Sequence, residues 1–314
     1  MSSGKRGCSY SRLPVLAAML AAAPLLIAAE RARPRGQLLL DAADPVVMET
    51  IAGVTLRLRV DPAEHGVVLL NRAAATRLRL RWQEGAETDV GRVSVTGRVA
   101  LATMLVADRA QEVTVATYDR DCCLGVDGAI GPDTLPYAVV RWSRANAPDP
   151  TGERTLALRA DARTGLYADA GAGFGDLRLA FTLYRSNTVA TAAGGAMLAG
   201  AWGGTWAGPA APAPAPFGLV RPERVMAFAR PGTLAGFPFA RISVRIADFG
   251  GRTRLPQDRA GPDDILVAPR LPLQEAWPAV ILGDDLLRRC AEIVYVAAPR
   301  TLTLRCAFDA TADR

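Results

Sequence analysis

Much of the chain is written in a period of two. Val54, Leu56, Leu58 and Val60 alternate with Thr55, Arg57, Arg59 and Asp61, the pattern of a half-buried strand whose successive side chains face opposite sides. The same alternation marks Val93-Ser94-Val95-Thr96 and Val113-Thr114-Val115-Ala116-Thr117, which read as arms of long hairpins. A turn at Pro62-Ala63-Glu64-His65-Gly66 leads into the apolar run Val67-Val68-Leu69-Leu70. Asn71 is then placed to cap a short helix from Arg72 to Leu78.

The polar stretch 144–152, with two prolines and a glycine, reads as a linker, and beyond it the order of signals repeats. Leu177, Leu179 and Phe181 alternate with polar or small residues. A turn at Arg185-Ser186-Asn187, the run Thr188-Val189-Ala190 and a small-residue helix from Thr191 to Ala199 follow. Residues 209–216 are low-complexity Pro-Ala and predict an exposed extended loop. A hairpin of Arg224–Phe228 and Arg241–Ala247 is expected to turn through Pro231-Gly232. The halves also close alike: Ala129-Ile130-Gly131 precedes the strand at Val139-Val140-Arg141-Trp142. Ile281-Leu282-Gly283-Asp284 precedes a short helix and the strand Ile293-Val294-Tyr295-Val296. This is an internal duplication, with lobes at 46–143 and 153–306.

Composition narrows the function. Half of the 314 residues are hydrophobic and 22% are charged, too apolar and too evenly charged for a disordered chain. The net charge of +6 is no nucleic-acid signature. Lys5, Arg6 and Arg12 supply half of it, and the remaining arginines are scattered among acids and apolar residues. Lys5 is the only lysine and alanine is abundant, as codon bias in a GC-rich genome produces. Residues 1–29 read as a secretory signal, a basic segment followed by the apolar stretch Leu13–Ala29. The rival reading is an uncleaved anchor, the one route by which the chain would contact a membrane. Cys8 precedes the apolar stretch and is not placed like a lipoprotein cysteine.

Export leaves four cysteines, Cys122, Cys123, Cys290 and Cys306, an even number with three possible connectivities in an oxidising compartment. The preferred pairing joins Cys290 with Cys306, which leaves Cys122 and Cys123 as a vicinal bridge or reduced; buried free thiols are the plain alternative. No C-x-x-C pair is present, so no metal and no cofactor is expected. The single histidine, His65, would have to carry any Ser-His or Cys-His mechanism, and it reads as a polar turn residue instead. Hydrolytic chemistry is left mainly to carboxylates.

A duplicated β lobe with a turn after a strand and a later apolar-apolar-Gly segment resembles the aspartic peptidases. It is pepsin-like in its two lobes and retropepsin-like in the compact first lobe. Val60-Asp61-Pro62-Ala63 occupies the position of the first Asp-Thr/Ser-Gly turn, with Ile130-Gly131 as its partner segment; Ile281-Leu282-Gly283-Asp284 is similar to the second-lobe segment. The resemblance implies a mostly β, two-lobed barrel fold with short helices, and Asp61 as a catalytic acid. In that family two carboxylates share a proton, one activating water while the other protonates the substrate.

Here the pattern departs from the family. Pairing the halves without gaps sets Asp61 against Thr182, with Leu183-Tyr184 in place of Thr-Gly. Pro62 lacks the hydroxyl and N–H of the family's threonine, and Ala63 replaces its glycine. The expected flap, Gly91 to Thr117, contains no tyrosine. Asp176 and Asp248 are candidates for a missing second acid. Asp284 reads as a helix N-cap, Asp127 and Asp133 as turn or cap residues, and Asp61 itself has a reading as a local turn acceptor. Trp202 and Trp206 line either a cleft or a mobile loop. The expectation is an exported monomer, periplasmic or secreted, that holds an extended peptide between its lobes. The alternative is an active endopeptidase using Asp61 and an unidentified second carboxylate, and a third possibility is a β protein with no ligand. Two chains each contributing Asp61 is set aside, because the second lobe obstructs that geometry.

Overall fold

Residues 35–90, 93–107, 109–161, 164–246 and 277–309 are described in a computed structural model. The segment read as a signal, Cys8, Gly91 and Asp248 lie outside them. After β1 (Arg35–Asp41) the first half runs β2 (Val46–Ile51), β3 (Val54–Val60), β4 (Val67–Leu70), α1 (Arg72–Arg77), β5 (Gln83–Val90), β6 (Val93–Val106), β7 (Arg109–Tyr118) and β8 (Gly128–Ile130). The alternation in β3 buries Leu56, Leu58 and Val60 and leaves Thr55 exposed. Strands β2 to β8 form one sheet in the order β2-β3-β8-β4-β7-β6-β5. A further pairing of β2 with β6 curls it into a barrel, Thr50 lying opposite Leu105 and Ile51 opposite Met104.

The chain continues through β9 (Tyr137–Ser143), β10 (Gly152–Asp161), β11 (Gly165–Asp169), β12 (Arg178–Phe181), β13 (Val189–Ala190), α2 (Ala192–Trp202), β14 (Gly204–Ala215), β15 (Leu219–Leu234) and β16 (Phe237–Arg245). It ends with β17 (Ala279–Leu282), α3 (Asp284–Leu287), β18 (Cys290–Ala297) and β19 (Arg300–Cys306). These strands and β1 form the second sheet, ordered β1-β9-β18-β19-β10-β11-β12-β17-β13-β16-β15-β14. Its last seven strands repeat the first sheet with every label raised by nine. The pairing directions repeat too: β3 and β8 run parallel, as do β12 and β17, whereas β4 is antiparallel to β8 as β13 is to β17. Two strands that cross through a third by the same rule twice are not a coincidence of composition. The fold is mostly β and two-lobed, built by internal duplication, with short helices.

Strands β9 and β18 lie antiparallel near one end of the larger sheet, and Trp142 and Tyr295, both fully buried, fill the core there. The Trp142 ring N–H donates to the Val60 carbonyl at 3.1 Å, fixing the end of β3 just before Asp61. Cys290 and Cys306 are register partners on β18 and β19 and are bonded; Cys122 and Cys123 form a vicinal disulfide.

Several local expectations change. Asn71 flanks α1, but its side chain makes no cap bond. It instead grips the 122–126 loop, donating to the Cys123 and Val126 carbonyls and accepting from the Cys123 N–H. The Pro-Ala segment is a strand, because β15 supplies an antiparallel partner whose ladder tolerates prolines on an edge. The β15–β16 hairpin turns at Ala235-Gly236, both at positive φ, and not at Pro231-Gly232. Helix α2 runs to Trp202, with Thr191 as its cap. Asp284 is the first residue of α3, whose N-cap is Gly283, and its carboxylate accepts from Arg144 at 2.6 Å.

Candidate functional site

The two halves meet at the turns that follow β3 and β12, and these turns are built alike. The Asp61 N–H donates to the carbonyl of Ile130 at the end of β8, and the Thr182 N–H to that of Leu282 at the end of β17. Two residues on, the Ala63 N–H donates to Asp61 Oδ1 at 2.9 Å and the Tyr184 N–H to Thr182 Oγ1 at 3.1 Å. The glycines of the apolar-apolar-Gly segments have one role in both halves. A Cβ on Gly131 would lie 2.2 Å from the Glu64 carbonyl, and one on Gly283 would lie 2.7 Å from the carbonyl of Arg185. Glu64 and Arg185 are the third residues after Asp61 and Thr182.

At the junction Thr182 Oγ1 donates to Asp61 Oδ2 at 2.7 Å, and the Leu183 N–H donates to the same oxygen at 3.2 Å. Pro62, which corresponds to Leu183, has no N–H to return that bond, so the grip between the turns is one-sided. The close approach that a glycine at position 63 would have given is supplied from the other side. Gly165 begins β11 at φ +75°, where a Cβ would strike the Ala63 carbonyl, and the Leu166 N–H donates to that carbonyl at 2.9 Å. Asp61 is 1% exposed. Burial pushes its carboxyl up to about 6, although the hydrogen bonds from Ala63, Thr182 and Leu183 and the nearby charge of Arg59 pull the other way.

The residue that sequence reasoning passed over is Glu64, in the same turn. It is half-buried in dense surroundings, and that burial, reinforced by the charge of Asp61, raises its carboxyl to about 8. Among the described residues its carboxyl has no hydrogen bond and no ion pair. The signal was present, an acid three residues after Asp61, but a sequence does not reveal which turn acids are buried. Tyr118 and Tyr184 are near enough for the charge of Glu64 to raise their hydroxyls, after burial, which is the larger cause in both. The Arg59 guanidinium lies over the Tyr184 ring, 4.1 Å from its centroid, and donates to the Leu124 carbonyl.

Above the turns the hairpins of the two halves touch. Val90, Val95 and Phe217 form a small buried cluster with Tyr118, Cys122, Ala215 and Leu219 packed around it. Tyr118 meets Phe217 edge-on at 5.0 Å. The first-half hairpin therefore does place a tyrosine near the site, one residue past the expected flap, at the end of β7.

Other candidates lie elsewhere or have different roles. His65 Nδ1 is 2.5 Å from Asp133 Oδ2, so the histidine has a half-buried acidic partner that its sequence did not announce. Asp127 accepts from the Arg57 N–H and pairs with Arg77. Asp176 is exposed in the turn after β11. Trp202 is core, packed edge-on against Phe174 and Phe228, and Trp206 lies on β14 under Arg224. Among the described residues no group of His, Cys, Asp and Glu is arranged to hold a metal ion.

No family model and no curated protein matches the chain. Among solved structures it is similar to EIAV protease complexed with the inhibitor HBY-793. The identity is 17% and the TM-score 0.25, over 29% of this chain and 84% of that one.

Proposed function

We propose that the chain is an exported protein that binds an extended peptide between its two turns and its two hairpin tips, and that it does not hydrolyse it. The observation that supports this is the Asp61–Thr182 hydrogen bond. Two-carboxylate hydrolysis needs a second group that gains and loses a proton near the working pH, and an alcohol does not ionise there. Asp61 is moreover 1% exposed and accepts three hydrogen bonds, so its carboxylate oxygens are engaged by the protein itself. What such a two-lobed β scaffold still offers is strand backbone, to which extended segments are held by added strand pairing. The N-terminal apolar segment and the two disulfides support a periplasmic or secreted location.

A second reading has its own observation. Burial and the charge of Asp61 raise the proton affinity of Glu64 in the same turn, and that pair would supply the missing acid to an endopeptidase. One experiment separates them: the exported portion is offered a mixed peptide library from pH 3 to 8, beside Asp61→Asn and Glu64→Gln. Binding without cleavage, retained within about threefold by Asp61→Asn, is expected. Cleavage abolished by either substitution would establish the peptidase instead.

A further inference from the structure

Resting on that binding reading, we infer that Glu64 is the receptor for a basic group of the bound peptide, an arginine guanidinium or a lysine ammonium. Charges at the two turns are otherwise matched. Asp61 accepts from three donors, Asp133 faces His65, and Arg59 has the Leu124 carbonyl and the Tyr184 ring. The contrast with the duplicated position is the sharpest point. Arg185, the counterpart of Glu64, donates to the Asn187 and Pro214 carbonyls and to the Glu223 carboxylate. Glu64 has no such partner among the described residues. One half has satisfied its charge internally and the other has left a carboxyl open.

The chemistry beside that carboxyl suits a cation. Aromatic faces attract guanidinium and ammonium groups, more strongly once water is excluded, and Tyr118, close enough to feel the charge of Glu64, packs among the hairpin tips. Bound at that carboxyl, a cation would give Glu64 the charge-assisted hydrogen bonds it lacks among the described residues. A neutral or acidic side chain would leave it as it is or repel it.

Binding is then coupled to a proton. The groups whose charge couples to Glu64 are Asp61 in its own turn, Tyr118 on β7 and Tyr184 on the second turn; His65, next in the chain, faces Asp133, and Arg59 on β3 lies over the Tyr184 ring. With Glu64 holding its proton to about 8, a basic ligand must displace that proton near neutrality. Its affinity therefore rises from pH 6 to 8 as Glu64 ionises more readily, while the tyrosines, shifted upward, remain neutral.

The test uses the exported chain and capped, uncharged octapeptides that differ at one position: arginine, lysine, citrulline, norleucine or glutamate. A norleucine peptide with a free N-terminus asks whether an α-amine serves as the cation. Arginine or lysine should bind at least about tenfold tighter than citrulline or norleucine at pH 8. That advantage should shrink at pH 6, and should fall below about twofold in Glu64→Gln, which is isosteric with the protonated side chain. Preference for the free α-amine over both side chains overturns the assignment to arginine or lysine. Peptide binding with no charge preference, or a preference that survives Glu64→Gln, overturns the inference and leaves the binding reading standing. If no peptide binds at any pH, both fall.

Discussion

Asp61, Glu64 and Glu49 are carboxyls that folding makes harder to ionise. Burial lifts Glu49, on the inner face of β2, to about 7, as it lifts Asp61 to about 6 and Glu64 to about 8. Unfolded, the same groups titrate near 3.8 for the aspartate and 4.5 for the glutamates. The folded chain thus binds more protons across that interval. Their contribution to stability is complete below about pH 4 and is lost as pH rises through 6 to 8. Urea unfolding should show stability falling from pH 5 to pH 8. Glu64→Gln should remove part of the fall, making the variant more stable than the parent by roughly 1–2 kcal/mol at pH 8, allowing for partial solvent access, and nearly equal at pH 5. Identical declines in both proteins would mean that Glu64 ionises freely. At this scale the sequence was half legible. Asp61 and its opposition to Thr182 followed from pairing the halves. Glu64 did not, because nothing local separates a buried turn glutamate from a solvated one.

Among the elements, the two glycine segments show why a short motif recurs. Gly131 and Gly283 follow the strands that cross beneath the turns, and each touches turn backbone that cannot give way as a flexible side chain would. Gly131→Ala should therefore cost about 1–3 kcal/mol in thermal or urea unfolding. Gly36→Ala, where a Cβ meets nothing within 4 Å, should be nearly neutral. Equal effects would show that the turn accommodates a methyl group. Strand β3, the turn at 62–66, β4 and α1 were readable because period-two alternation and a following helical run are local signals. Strand β14 was not, since its Pro-Ala sequence has low strand propensity and is extended only because β15 pairs with it. Asn71 was placed correctly and its bonds were not, because the 122–126 loop it holds lies about fifty residues away.

For the whole molecule, the contact between the hairpin tips is what separates an open scaffold from a covered site. Phe217 is buried there at φ +60° between residues of the opposite half. Phe217→Ala should speed amide exchange at residues 93–95 and 215–219 by about tenfold or more, leaving β3 and β12 protected. Unchanged exchange at the tips would show that they are held by their own hairpins. The sequence by itself determined the β character, the duplication, and the pairing of an ionisable turn with a non-ionisable one, since these are written in local periodicity and in the chain's similarity to itself. Only the tertiary structure decided that Asp61 is buried, that His65 has Asp133 as a partner, that Gly165 and not a turn glycine permits the close approach, and that Glu64 has no hydrogen-bond or ion-pair partner among the described residues. Each of these depends on which distant segments come together and on how much water they exclude. Burial and electrostatic environment belong to the packed molecule, and no local stretch of sequence contains them.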